Sequence, residues 1–166
     1  MNDKWYSKVY TVKINRDSRT SQVITEVWFL NGQRHRDDDL PALTNYSKGC
    51  LRREWCQHGQ LHREGAPASL TTDIKTGMVL AEAWFRADKL HREDGLAAAT
   101  MWDRGTGKIP KLEYAEDGVY RSDGPALTYY SGRSGRVIEQ YYFVNGMLSE
   151  RKTRTRSLRR SRKLEP

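Results

Sequence analysis

The chain has little cysteine, a small share of hydrophobic residues and no long apolar run. Two cysteines among 166 residues are too few for a disulfide scaffold. No stretch of eighteen apolar residues could span a membrane, and the N-terminus MNDKWYSKVY lacks the apolar segment of a signal peptide. We therefore expect a soluble, cytoplasmic protein with no membrane span.

The two cysteines, Cys50 and Cys56, both fall in a predicted strand. Six residues of extended chain cover roughly 20 Å, which excludes a bond between them unless the strand breaks. Hydrophobic residues make up 37% of the chain and aromatic residues 10%. Burial must then come mainly from the aromatics, so we expect a thin, aromatic core.

Charge is unevenly distributed along the chain. The net charge is +8, and positions 1–150 are almost neutral. The C-terminal segment 151–166 carries one acid, Glu165, and eight basic residues: Arg151, Lys152, Arg154, Arg156, Arg159, Arg160, Arg162 and Lys163. These eight are the candidate contacts to nucleic acid or to an acidic partner.

A short pattern recurs along most of the chain: an aromatic residue, a turn, a His-Arg pair, an acidic turn and Pro-Ala. The copies are WFLNGQRHRDDDLPA from Trp28, WCQHGQLHREGAPA from Trp55, WFRADKLHREDGLA from Trp84, YAEDGVYRSDGPA from Tyr114 and the shorter YFVNGMLSER from Tyr142. A pattern that recurs several times indicates a structural repeat, so a function assigned to one copy must account for the others.

Each copy predicts a β-hairpin followed by a linking turn. A turn dipeptide follows each aromatic, with its second residue four positions later, and most of these dipeptides suit turns with positive φ. They are NG, HG, AD, DG and NG. In VLAEAWF the period-2 alternation puts Val79, Ala81, Ala83 and Phe85 on one face and Trp84 on the other. Successive hairpins predict an all-β fold: an elongated, twisted antiparallel meander.

The organisation we predict has three parts. Residues 1–25 form a capping hairpin without the His-Arg turn, and residues 26–150 hold four to five hairpin repeats. Residues 151–166 form the basic tail. From Ser149 onward the chain has too few apolar residues to bury, so we expect it to be flexible or short-helical unless a partner holds it.

The repeat resembles the MORN-type repeats, in the variant W-x-x-N-G-x-L-H-R-E-D-G-P-A. LHREDGLA (90–97) and LHREGAPA (61–68) carry the resemblance, with RSDGPA (121–126) a shortened match. It departs at Asp88, Leu96, Arg53 and Leu112, and the fourth unit is one residue short before Tyr120. The resemblance implies an array of hairpins that acts as a scaffold, dimerisation or binding element, with no catalytic residue set to carry over.

The three histidines His35, His62 and His91 recur at one repeat position, which favours a structural role. An imidazole between a turn and the next strand can bond backbone groups at both ends. In the fourth copy we assign that position to Tyr120. The structural repeat positions are therefore these histidines and the aromatics Trp28, Trp55, Trp84, Tyr114 and Tyr142.

Other polar patterns point to turn building more than to chemistry. Cys50, Cys56, His58 and His62 match no strong zinc spacing, and the acids after each His-Arg pair suit turns and exposed salt bridges better than calcium. GTGK (105–108) and SGRSGR (131–136) precede no helix and are predicted hairpin turns. We expect no metal and no cofactor.

These observations predict a non-enzymatic interaction or scaffold protein that binds another protein. Trp102, Tyr129 and Tyr130, which the core does not need, are the candidate protein contacts. The resemblance suggests a phage setting with a host factor or a virion component as target. The alternative is a nucleic-acid-binding protein that uses the basic tail, and a homodimer through the terminal hairpins is left open.

Overall fold

The structure, a computed structural model, describes residues 8–93 and 95–153 and confirms the predicted all-β class. These residues hold eighteen strands and no helix. The strands are β1 (Tyr10–Arg16), β2 (Val23–Leu30), β3 (Gln33–Arg34), β4 (Leu43–Ser47), β5 (Cys50–Glu54), β6 (Cys56–Gln57), β7 (Gln60–Leu61), β8 (Ser69–Asp73), β9 (Val79–Ala83), β10 (Phe85–Arg86), β11 (Lys89–Leu90), β12 (Ala99–Met101), β13 (Lys111–Glu113), β14 (Ala115–Glu116), β15 (Val119–Tyr120), β16 (Pro125–Tyr130), β17 (Val137–Val144) and β18 (Met147–Thr153).

Eleven strands form one antiparallel sheet in the order β1-β2-β4-β5-β8-β9-β12-β13-β16-β17-β18. Strands that follow each other along this path are also consecutive in the chain once the short strands are set aside. The short strands pair among themselves as the ribbons β6-β7, β10-β11 and β14-β15, while β3 pairs with β2. The predicted antiparallel meander is therefore present.

The meander places its connections alternately at two ends of the strands. One end, which we call the loop edge, consists of residues 16–22, 48–49, 73–78, 102–110 and 131–136. The other end, the ribbon edge, consists of residues 31–42, 55–68, 84–98, 114–124 and 145–146. Each antiparallel crossing reverses the chain, so every second connection returns to the same edge.

The strand predicted through VLAEAWF is interrupted, and the face assigned to Phe85 is wrong. Strand β9 ends at Ala83, and Phe85 belongs to ribbon β10-β11, where it pairs with Leu90. Trp84 between them donates its amide N–H to the Ala98 carbonyl at 2.8 Å and accepts from the His91 amide at 2.9 Å. Its backbone thus joins sheet to ribbon.

The core is thin, as predicted, but the expectation that it is aromatic is wrong. Among the described residues, the buried hydrophobic set contains six alanines, Cys56 and a single aromatic, Trp55. The alanines of the Pro-Ala or Ala-Ala step, Ala42, Ala68, Ala98 and Ala126, are 0% exposed. Most aromatic rings are half-buried, because they lie on the sheet surface under other side chains.

Strand β18 continues through Thr153, so the expectation of a loose or helical segment from Ser149 is wrong as far as that residue. The boundary we placed at 151 falls inside this strand. Arg151 pairs with Tyr141 and Lys152 with Gln140 across β17. The six other basic candidates, Arg154 to Lys163, lie outside the described residues.

The two cysteines are free, with Cys50 opening β5 and Cys56 opening β6 beyond the break at Trp55. Nothing helical within residues 8–93 and 95–153 has the length and apolarity to cross a membrane.

Candidate interaction surface

The repeated histidines connect each ribbon turn to the next. The Nδ1 atom of His35 accepts the His58 amide N–H at 3.1 Å, that of His62 the Ala87 amide at 3.4 Å, and that of His91 the Asp117 amide at 3.1 Å. Because Nδ1 accepts, the hydrogen-bond network assigns the ring proton to Nε2.

The Nε2 atoms of His35 and His91 are directed to the carboxylate two residues later. The distance is 2.9 Å from His35 to Asp37 and 3.4 Å from His91 to Glu93. His35 and His91 are buried. Both ring nitrogens are therefore engaged by the fold, which supports the structural interpretation of these positions.

Four arginines cover the repeat aromatics. Their guanidinium carbons lie 3.9 Å (Arg36 on Trp28), 3.8 Å (Arg63 on Trp55), 4.2 Å (Arg92 on Trp84) and 4.2 Å (Arg121 on Tyr114) from the ring centroids. Arg36, Arg63 and Arg92 also donate to the carbonyl just before the buried alanine. The sequence reasoning missed this stacking.

The exposed salt bridges expected between the repeat arginines and the turn acids are present for Arg63 and for Arg121, which lies 3.4 Å from Asp123, and are wrong for Arg36 and Arg92. Only Arg63 reaches a turn acid of the preceding unit, Asp39, at 2.7 Å. Arg36 and Arg92 lie instead near Glu26 and Glu82, the glutamates two residues before their tryptophans, at 3.5 and 3.3 Å. The repeat arginines are mostly buried by the stacking and are not free cations.

Tyr120 does not occupy the histidine position that we assigned to it. It pairs with Ala115, as Leu61 pairs with Cys56 and Leu90 with Phe85. The missing residue of the fourth unit is therefore the histidine itself. Tyr120 packs its ring against Phe143 at 4.5 Å instead.

The loop edge has a recurring turn that sequence reasoning passed over. Asp17 Oδ1 accepts the amides of Arg19 and Thr20 at 2.9 and 2.8 Å. Asp73 and Asp103 accept the amides of Thr76 and Thr106 in the same way, each at 2.8 Å. The signal was available as D-x-x-T-[SG] at 17–21, 73–77 and 103–107.

These bonds keep the loop-edge carboxylates ionised and fix them against the amides of their own turns. Hydrogen bonds from Thr20 lower the pKa of Asp17, and those from Thr76 and Thr106 lower the pKa values of Asp73 and Asp103. Asp73 is buried. The acids of this edge therefore accept hydrogen bonds from the backbone of their own turns.

The two edges differ in charge. Among the described residues, the ribbon edge has nine acidic and seven basic residues, whereas the loop edge has three acidic and eight basic ones. All eight loop-edge cations are exposed. They are Arg16, Arg19, Lys48, Lys75, Arg104, Lys108, Arg133 and Arg136.

Neighbouring loops contact each other, so the loop edge is one continuous surface from residue 48 to 136. The Ile74 amide donates to the Gly49 carbonyl at 2.9 Å, and Arg104 Nε lies 2.9 Å from Asp73 Oδ2. Lys108 Nζ donates to the Arg133 carbonyl at 2.6 Å.

The basic C-terminal segment starts from this same edge. Thr153, the last described residue, pairs with Glu139, three residues beyond the loop 131–136. Of the candidate cations, Arg151 contacts Glu139, and Lys152 Nζ lies 3.3 Å from Glu150 and 4.3 Å from the Tyr142 ring centroid. Both therefore belong to the sheet.

The structure brings together two of the three candidate aromatics. Trp102 and Tyr130 line one shallow hollow at the loop edge, together with Lys108, Ile109 and Leu112. Tyr129 projects from the other face, where its ring lies 6.0 Å from that of Tyr141. Successive residues of a strand point to opposite faces, so Tyr129 and Tyr130 cannot act together.

Within the part of the chain that the structure describes, no three His, Cys, Asp or Glu side chains are grouped so that they could hold a metal ion. Comparisons of the chain with family models, with curated proteins and with solved structures give no match. The resemblance to MORN-type repeats therefore stays a prediction from the sequence.

Proposed function

We propose that this chain is a non-enzymatic interaction protein whose loop edge binds the phosphate backbone of a nucleic acid. The observation that carries the proposal is the charge difference between the two edges. Eight exposed cations lie on the loop edge, and its three carboxylates accept amides of their own loops. Such an edge carries more positive than negative charge and therefore attracts an anion.

The shape of the edge favours a linear polyanion over a planar one. Strands lie 4.7–4.9 Å apart, so the five loops, each two strands from the next, span about 40 Å. A sheet one layer thick presents these loops as a narrow row. A nucleic-acid backbone can follow such a row along its length, whereas an anionic membrane would meet only a line of contact.

Six further cations follow Thr153 in the sequence. Because the chain leaves the described region at the loop edge, residues 154–166 are tethered where the loop cations already attract phosphate. Deleting them should weaken binding at physiological salt and make the salt slope less steep, by about 0.7–0.9 for each phosphate that is no longer neutralised. The deletion must begin at 154, since Arg151–Thr153 belong to β18.

The test measures binding of labelled DNA and RNA by fluorescence anisotropy over a series of salt concentrations. The double variant Arg19→Gln/Lys75→Gln removes two loop-edge cations, and Arg86→Gln/Lys89→Gln removes two from the ribbon edge as the matched control. We expect weaker binding and a flatter salt slope only for the first. Equal loss in both variants, or no binding by the wild-type chain, would overturn the proposal.

A protein partner at the C-terminal edge of the sheet is the second candidate, favoured by exposed apolar side chains there. All seven residues of β18 are exposed, with Met147 at 70% and Leu148 at 55%, and the outer backbone of this edge strand is unpaired within the described sheet. An extended segment of another protein can add to such a strand.

This second candidate has its own experiment. Met147→Ser/Leu148→Ser should abolish capture of a protein from nuclease-treated lysate, whereas Val9→Ser at the opposite end of the sheet should not. A protein captured equally by both variants would place the binding elsewhere.

A further inference from the structure

The hollow beside loops 102–110 and 131–136 combines an apolar floor with a basic rim. Its volume is about 490 Å³, within the range of small-ligand sites. Trp102, Leu112 and Tyr130 form the floor, and Lys108 lies at the rim. The floor residues lie on one face of the sheet, and Lys108 lies in the loop next to that face.

The rim is open because its turn residues have no side chains. Gly107 and Gly135, with φ of 66° and 68°, both line the hollow. Lys108 Nζ donates to the Arg133 carbonyl at 2.6 Å, which holds the two loops together beside the opening. Arg133 and Arg136 are exposed on the second loop. A flat ring could therefore enter between two loops that carry positive charge.

The floor itself brings no negative charge to this site. Burial raises the pKa of the Tyr130 phenol above its ordinary value, so the group stays neutral at physiological pH. The nearest loop acid, Asp103, is occupied by hydrogen bonds from the amide and hydroxyl of Thr106. Aromatic surface next to exposed cations is the combination that binds unpaired bases in single-stranded nucleic acids.

We propose that the Trp102-Tyr130 hollow receives an unpaired nucleobase of a single-stranded nucleic acid whose phosphates lie along the loop edge. This inference rests on the proposed function and adds a preference to it. A duplex keeps its bases stacked inside and presents only phosphates to the same cations. The hollow therefore distinguishes single strands from duplexes without reading sequence.

The experiment compares three labelled ligands of equal length: an oligothymidylate, an abasic phosphodiester and a DNA duplex. Base stacking on an aromatic side chain contributes enough to change affinity by roughly tenfold. We expect the wild-type chain to bind the oligothymidylate about tenfold more tightly than the abasic oligomer. Trp102→Leu should remove this difference and leave binding of the abasic oligomer unchanged.

Trp102→Phe is the matched variant, because it keeps an aromatic ring and should retain most of the difference. Both variants remove the Trp102 indole, but only Trp102→Phe keeps an aromatic ring. A difference between them therefore reports stacking and not the loss of the native side chain. Tyr130→Leu provides an independent test from the other wall of the hollow, with the same expected loss of preference.

The outcomes separate this inference from the function on which it rests. Equal affinity for the oligothymidylate and the abasic oligomer would overturn the base site and leave phosphate binding standing. Absence of binding to all three ligands would overturn both. Binding of an acidic peptide or of anionic lipid vesicles that depends on Trp102, with no preference for bases, would assign the hollow to that other partner and overturn the base site.

Discussion

The two edges of the sheet both connect neighbouring antiparallel strands, yet their polar side chains make different contacts. On the ribbon edge, arginines, histidines and acids bond one another, the aromatic rings and the backbone. On the loop edge, the acids accept amides of their own turns, and Arg16, Arg104 and Lys108 donate to loop carbonyls, yet all the cations remain exposed. The comparison indicates that side chains repeated from unit to unit stabilise the fold. The excess of exposed cations over acids identifies the loop edge as the surface that we propose for binding.

This division predicts that ribbon-edge substitutions change stability and leave nucleic-acid binding intact. The largest effect is expected at Ala68, which is 0% exposed and whose carbonyl accepts the Trp55 amide at 2.9 Å. Ala68→Leu would overpack this contact and should cost about 3 kcal/mol in the free energy of unfolding. Ser18→Leu, at an exposed loop-edge position, is the control. Urea denaturation measures both, and equal costs would break the comparison.

The arginine stacks should respond to a change that keeps the charge. Arg63 lies 3.8 Å from the Trp55 centroid and bonds both carboxylate oxygens of Asp39 at 2.7 Å. Lysine lacks the planar fork, so Arg63→Lys should cost roughly 1–2 kcal/mol. Arg19→Lys on the loop edge should stay within about 0.5 kcal/mol of wild type. An unchanged free energy of unfolding in Arg63→Lys would show that the stacking adds nothing to stability.

One ribbon turn has alanine at a position of positive φ, a conformation that alanine adopts less readily than asparagine. Ala87 has φ of 49° at the position where Asn31 has φ of 52° in the first unit. Asparagine tolerates this conformation better, so Ala87→Asn should stabilise the protein by roughly 0.5–1 kcal/mol. Asn31→Ala should have the opposite sign. Thermal denaturation of the pair tests whether the ribbon turns are equivalent.

Turn chemistry and period-2 alternation sufficed to predict the antiparallel meander, because positive-φ dipeptides and hydrophobic alternation are local signals. They did not predict the break at Trp84 or the strand through Thr153. The arginine stacks were not predictable, since Arg36 meets Trp28 only after an intervening hairpin sets the distance. The Tyr120 position was ambiguous because a one-residue deletion can be placed on either side of it in the sequence. The charge difference between edges was present in the sequence, but it becomes visible only when alternate connections are grouped as the meander groups them.

The smallest expected effect lies at Asp37, where the N-terminal hairpin meets the first ribbon. Hydrogen bonds from Lys8, Tyr10 and His35 hold the pKa of this carboxyl well below its ordinary value. A lowered folded-state pKa means that its stabilising contribution is complete above the unfolded value of about 3.9 and is lost as the pH falls through the folded value. The side chain is partly exposed, so solvent screening keeps this contribution small.

Asp37→Asn should therefore lower the melting temperature slightly at neutral pH, and the difference from wild type should narrow below about pH 4. Asp123→Asn is the matched control, because this carboxyl is 83% exposed and its nearest cation, Arg121, lies 3.4 Å away in the fourth ribbon. A difference at Asp37 that stays constant down to strongly acid pH would mean that the carboxylate's charge does not contribute. Beyond the backbone pairing of β1 with β2, the hairpin would then be held by the Tyr10 contacts to Trp28 and His35, which are ring packing and not ion pairing.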